Sequence, residues 1–281
     1  IYYVNTLSNQ YALDDSIVIT ENKFTRQGIE GIDDILKHDS FTGFFGKQKE
    51  LVSGGRYRPL SIVTFALEYE FFGKNPHVSH LINVLLFALT GIFIYIIFSS
   101  LFWHIENRPW YLSLAFLTAL LFIAHPVHTE AVANIKGRDE ILSFLFALLT
   151  LHESIRYTRK PKVKYLVLSF IFFFLALMSK ENAVTFLAVV PLTLYFFRQK
   201  ASEFSSKPIL FTLFPLLLAT ILYLGLRYAV LGFFSTEPQG ELMNNPFLHA
   251  SLSEKYGTIF LTLGYYLKLL FYPHPLTFDY Y

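Results

Sequence analysis

The chain has 281 residues, of which 53% are hydrophobic, 18% aromatic and only 16% charged, with a formal net charge of +2 and no cysteine. Soluble domains carry about 25% charged residues, so this composition leaves too few polar groups to cover a water-facing surface and points to a membrane protein. The small net charge and the lack of any basic block argue against nucleic acid as a partner, and the missing cysteines exclude disulfides and thiolate metal sites.

Residues 1–80 are mixed in character, with turn signals at Gly54-Gly55 and Asn75-Pro76, and read as a water-exposed region or long loop. Asp14-Asp15, in "YALDDSIVIT", is an adjacent acid pair near its start. Aspartate favours helix N-caps and turns, which is the plain reading. The functional one is a general base beside a second carboxylate that tunes or orients it. In "GGRYRPL" (54–60) an extended backbone would point Arg56 and Arg58 the same way. That makes a fork suited to a phosphate, or else a solvated basic turn. Residues 59–72, PLSIVTFALEYEFF, predict an amphipathic helix lying at the interface.

From residue 81 the chain reads as a helical bundle. Residues 81–102 carry no charge and are long enough for a span of about 20 residues. Further apolar runs follow at 110–124, 141–151, 165–178, 183–197, 208–226 and 256–272. The runs at 165–178 and 183–197 are too short to cross twice at full thickness, and 110–124 stops early at His125-Pro126. Their polar tips therefore lie below the membrane surface, where they must line a wet cavity or pair with one another. Several short helices with polar tips at one end predict a funnel.

The basic residues set the orientation. Alternate loops hold Arg108, then Arg156, Arg159, Lys160, Lys162 and Lys164, then Arg198, Lys200 and Lys207. The positive-inside rule assigns these to the cytoplasm. By parity, residues 1–80, the stretch "HPVHTEAVANIKGRDE" (125–140), Ser179–Asn182 and 227–255 face outward, to a lumen or periplasm.

On that outward side the remaining polar residues converge. His125, His128 and Glu130 match no zinc spacing such as H-E-x-x-H, so a metal site is not expected, and Pro126 leaves the two imidazoles free to donate into a cavity. Asp139 and Glu140 suit the first turn of the next helix, a role that does not explain Arg138. Lys180-Glu181 could be an interfacial lysine with its partner, but its place between two short apolar runs favours the cavity.

Taken in order, "DDS", "RYRPL", "NPHVSHLINVLLF", "HPVHTEAVANIKGRDE", "SKEN" and "RYAVLG…NNPF" resemble the membrane half of the transmembrane-and-TPR O-mannosyltransferases. That family belongs to the GT-C superfamily, alongside the protein O-mannosyltransferases. The resemblance implies a polytopic all-α bundle with a long external first loop. It also implies a reaction in which a polyprenyl-phosphate sugar, mannose by analogy, is passed with inversion to a protein Ser or Thr hydroxyl, with no cofactor beyond that lipid donor. One acid of the first loop, Asp14 or Asp15, would act in catalysis, and Asp14 is favoured because the related enzymes carry a similar pair whose first member is catalytic. Arg56, Arg58, His125, His128, Glu130, Arg138, Asp139, Lys180 and Glu181 would then bind substrate. The setting would be a bacterial inner membrane or the endoplasmic reticulum. A transmembrane helix expected before "YALDD" and the tetratricopeptide helices expected after the bundle are not in these 281 residues. A transporter or channel, or an inactive membrane anchor for a repeat domain, are the rival readings.

Overall fold

The structure, a computed structural model, describes residues 2–48, 55–102, 109–198, 207–232 and 247–277. Every regular element among them is helical. Three short helices, α1 (Lys23–Arg26), α2 (Ile32–Lys37) and α3 (Thr42–Phe45), fold the first segment. They are followed by α4 (Pro59–Phe72), α5 (Pro76–Phe102), α6 (Leu114–Ala124) and α7 (Thr129–Ala133). Then come α8 (Arg138–Arg159), α9 (Val163–Ser179), α10 (Phe186–Arg198), α11 (Lys207–Leu231) and α12 (Leu252–Phe271).

Local chemistry sets these boundaries. Pro59 opens α4 at its first turn, where a missing N–H costs nothing. Asn75 accepts from the His77 and Val78 amides just ahead of α5, and Ser251 with Glu254 forms a capping box on α12. Pro126 ends α6, because proline disfavours helical backbone at the residue before it. His125 accordingly takes an extended ψ of 121°, and the chain resumes at 49° to its former direction.

Two helices are long and apolar enough to cross a membrane, Pro76–Phe102 and Ile209–Leu231, or three if α6 and the bent segment after it form one span. This is a multi-pass membrane protein. The helix beginning at Pro76 starts five residues before the apolar run that signals it. At 17 residues, α9 extends about 25 Å, short of full thickness as its sequence predicts. The apolar run 141–151 lies within α8, which extends at both ends into charged residues.

α8 packs along α9 and α5, α9 along α11, α5 along α6, and α10 along α11. Their shared core includes Ile94, Ile97, Leu148, Leu151, Phe173, Leu177, Val190 and Leu216. Helix α4 forms over the residues expected for an interfacial helix, but one side is sunk into the protein: Ile62, Phe65, Ala66 and Glu68 are buried. Phe71 and Phe72, at its far end, are exposed.

The two loop sets of the sequence occupy opposite ends. At one end Arg159 donates to the Ser100 carbonyl and the rings of Phe102 and Phe197 stand 5.4 Å apart. Arg108 and Lys200, and the side chains of Arg198 and Lys207, lie outside the described residues. At the other end, Tyr223 donates to the Tyr57 carbonyl and Gln48 to that of Leu231, where the first segment caps the bundle.

Candidate active site

The acid pair sits on a strained turn. Leu13, immediately before it, takes a positive φ of 48°, a left-handed conformation that costs a residue with a branched side chain about 1–3 kcal/mol. A single π-helical turn, Ser16–Thr20, follows. The strain is held by Asp15, only 2% exposed. One carboxylate oxygen of Asp15 accepts from the Ala12 amide at 2.9 Å and the other from the Lys136 amide at 2.9 Å. Burial pushes the Asp15 carboxyl above its ordinary range, a rise that these two amides partly offset. Asp14 by contrast is 52% exposed at its side chain, and its Oδ2 pairs with Lys136 Nζ at 3.0 Å.

Lys136 stands on a tightly fixed 3₁₀ turn, Ile135–Gly137. Asn134 caps that turn through the Lys136 amide. Asn83, fully buried in α5, donates to the Asn134 and Ile135 carbonyls at 3.3 and 3.1 Å. A Cβ on Gly137 would stand 2.4 Å from the Ala131 carbonyl oxygen, so only glycine fits there.

Arg138 continues this scaffold inward. Its side chain is 0% exposed. Nε donates to Asn83 at 2.7 Å, Nη2 to the Ser79 carbonyl at 3.0 Å, and Nη1 to Thr64 and Glu68, with Glu68 as its ion-pair partner. The guanidinium also lies 4.3 Å from the centre of the Phe65 ring. Arg138 thus binds α4 and α5 to the start of α8 and presents no donor to the cavity.

A second set of charges joins the first segment to the α9–α10 turn. Arg58 grips Glu181 with Nε and Nη2, at 2.8 and 2.6 Å, and reaches Asp139 with Nη1 at 2.9 Å. Burial works against the Arg58 charge, but the two carboxylates outweigh it and raise its proton affinity. Arg56 is not part of this fork. Its guanidinium lies 5.3 Å from the Phe41 ring centre and forms no ion pair among the described residues. Burial and the neighbouring Arg58 lower the Arg56 proton affinity. Lys180 pairs with Glu140.

Residues 125–137 form a wall between two cavities. One, about 530 Å³, is lined by the charged Glu130, Lys136, Asp139, Glu140 and Lys180 and by the rings of Phe87, Phe122, Phe144 and His128. The second, about 930 Å³, is mainly apolar and lies between Tyr11–Leu13, the wall, and Tyr266, Leu269 and Leu270 of α12. Val127, Glu130 and Asn134 face both. His125 accepts from the Val127 amide through Nδ1 and lies 3.1 Å from the Leu270 carbonyl through Nε2, so it shapes the bend. His128 packs on Phe122, with ring centres 4.2 Å apart.

Of the residues singled out by sequence, Glu130, Asp139, Lys180 and His128 share the polar cavity. Asp14 stands beside it through Lys136, and Glu181 is tied to Asp139 by Arg58. Asp15, Arg138 and His125 hold backbone and helices in place, and Arg56 lines a small crevice with Arg58 that shares Lys136 and Asp139 with the polar cavity. Sequence reasoning did not find Glu68 and Asn83, which lie within apolar helices and are visible only as the partners that a buried Arg138 demands. Lys136 also went unmarked, although its position between Asn134 and Gly137 in a polar island was a signal.

Residues 59–224 match the family described as dolichyl-phosphate-mannose-protein mannosyltransferase. The chain belongs to that family. Among curated relatives it is 34% identical to human protein O-mannosyl-transferase TMTC1 over 200 residues, 66% of this chain and 21% of that protein. It is 32% identical to Xenopus laevis protein O-mannosyl-transferase tmtc2 over 307 aligned positions, 99% of this chain and 33% of that one. Human protein O-mannosyl-transferase TMTC4 is 30% identical over 202 residues, covering 66% and 27%. The chain therefore spans between a fifth and a third of the length of these relatives. No solved structure matches it. The family match covers α4 to most of α11 and so includes the wall, Arg138, and the Asp139 and Glu181 carboxylates that Arg58 holds, while Arg58 itself lies one residue before it. The acid pair precedes it.

Proposed function

We propose that this chain carries the catalytic portion of an O-mannosyltransferase that takes mannose from a dolichyl- or other polyprenyl-phosphate carrier and passes it to a protein Ser or Thr hydroxyl. The acceptor oxygen bonds to the sugar's C1 as the C1–O bond to phosphate breaks, and that bonding pair leaves with the lipid phosphate. Asp14 takes the hydroxyl proton. One observation carries this reading: a half-exposed carboxylate, Asp14, is held by a lysine that also lines a polar cavity walled with aromatic rings. General base catalysis needs a carboxylate within reach of the hydroxyl, and the cations Lys136 and Lys180 suit the charge that builds on the leaving phosphate. The aromatic wall suits a sugar face, and the neighbouring apolar cavity gives an isoprenoid stem room beside α12. The site faces the periplasm or lumen.

A transport reading has one observation in its favour. Thr150, Ser154 and Ser169 are buried deep in α8 and α9, with Glu153 beside them. The Ser154 and Ser169 hydroxyls bond each other, and those of Thr150 and Ser154 donate to helix carbonyls, while the buried Leu145 and Leu148 stand between them and the cavity along α8. They serve better as helix glue than as a path. The discriminating experiment reconstitutes the full-length protein with dolichyl-phosphate-mannose and a Ser/Thr peptide. Mannosylated peptide appearing with released dolichyl phosphate supports the enzyme; substrate uptake into vesicles without transfer supports the transporter.

A further inference from the structure

The proposed reaction moves a negative charge. Before it, Asp14 is an anion and the phosphodiester donor carries one charge. Afterwards Asp14 holds the proton and is neutral, while the lipid phosphate is a monoester approaching two charges. One unit of negative charge has travelled from the carboxylate to the phosphate.

Lys136 is built to follow it. Its ammonium pairs with Asp14 at 3.0 Å, and the same residue lines the polar cavity. Its backbone cannot drift: the amide is gripped by Asp15 and Asn134, the next residue is a glycine with no room for a Cβ, and Asn83 holds the preceding carbonyls. The four-carbon stem above that fixed base is flexible and ends in a point charge that needs no particular approach angle. The side chain is 22% exposed, so it is screened without being locked in. Lys180, the other lysine of the cavity, is engaged by Glu140, while Arg58 is engaged by Glu181 and Asp139, and none of these contacts Asp14.

We infer that Lys136 is a charge shuttle, resting on the reading of Asp14 as the base: it pairs with Asp14 before transfer and with the leaving lipid phosphate as the C1–O bond breaks. Protonation of Asp14 releases the ammonium at the moment the phosphate gains the charge that attracts it. Lys136 is therefore worth more in the transition state than in the ground state, the condition for accelerating the chemical step.

The test measures binding of dolichyl phosphate to the reconstituted full-length protein, in wild type, Asp14→Asn, Lys136→Gln and the double variant. Asp14→Asn should bind it more tightly, by about two- to fivefold, because the competing carboxylate is gone. Lys136→Gln should bind it about 10- to 100-fold more weakly, and the Asp14→Asn gain should vanish in the Lys136→Gln background. Lys136→Arg should retain most of the affinity, with unchanged thermal midpoints serving as the control for folding. If Asp14→Asn leaves affinity unchanged, or its gain persists without Lys136, the lysine is only a structural tie and the inference is overturned. In that case wild-type mannose transfer would still stand as support for the enzyme. A wild type that neither binds dolichyl phosphate nor transfers mannose would overturn the functional reading and the shuttle together.

Discussion

Arg58 and Glu181, 123 residues apart in the chain, meet through two parallel N–H···O bonds of 2.8 and 2.6 Å. With the third bond to Asp139, this fork fixes the first segment onto the start of α8 and the α9–α10 turn. Arg58→Ala should destabilise the protein by about 3–5 kcal/mol, because it leaves the buried Asp139 carboxylate without its cationic partner. Arg58→Lys keeps the charge but loses the fork and should recover only part of that. Thermal unfolding in detergent measures both.

The same pair gives a pH dependence with a definite sign. Burial alone would raise the Glu181 carboxyl, but the Arg58 guanidinium outweighs it and holds the group below its ordinary range. A depressed carboxyl adds stability above its unfolded value and loses it as pH falls through its folded value. The stability advantage of wild type over Glu181→Gln should hold down to about pH 5 and shrink below the ordinary glutamate range near ~4.3. Asp15, raised by burial, works in the opposite sense: its protonation favours the folded state as pH falls. Melting curves across pH, read as the difference between wild type and Glu181→Gln, isolate the first effect.

Arg138 should behave as a fold residue. Its donors are spent on Asn83, Ser79, Thr64 and Glu68, so Arg138→Ala should lower the melting temperature, losing about 3–5 kcal/mol by leaving the buried Glu68 without its cation. The double change Arg138→Met with Glu68→Leu should be milder than Arg138→Ala, since it removes both charges. Donor binding scaled to the folded fraction should be nearly unchanged in the double variant.

Much of this was legible in the sequence, and the limits have physical causes. Apolar length and loop charge predicted the helices and the two loop ends, because membrane insertion depends on properties summed along a segment. The His125-Pro126 break followed from proline's backbone alone. The roles of individual charges were not legible. Arg56 and Arg58 have different partners, the Phe41 ring for Arg56 and the Glu181 and Asp139 carboxylates for Arg58, and the distant carboxylates that claim Arg58 cannot be read from its sequence neighbours. Arg138 resembled a phosphate ligand because its partner, Glu68, lies 70 residues away in another helix. Neighbouring acids in sequence also proved unequal: Asp14 is half exposed and Asp15 buried, a difference set by the turn that Leu13 strains.

Topology can be checked on a chain with no native cysteine. A cysteine at Thr129, exposed on the wall between the cavities, should react with an impermeant maleimide from outside. One at Lys160, exposed at the α8–α9 tip, should react only after the membrane is opened. The reverse pattern would invert the site and place it in the cytoplasm.

The most direct measurement is mannose transfer from dolichyl-phosphate-mannose to a Ser/Thr acceptor by the full-length protein carrying Asp14→Asn. Asparagine keeps the shape and reach of the side chain but cannot take the hydroxyl proton. Transfer should fall by about 10²–10⁴-fold while the protein still binds the lipid donor, and Asp15→Asn should cost transfer less. Near wild-type transfer by Asp14→Asn would contradict the account: with Asp15→Asn inactive the base would be Asp15, and with both variants active the acid pair would not be the catalytic site.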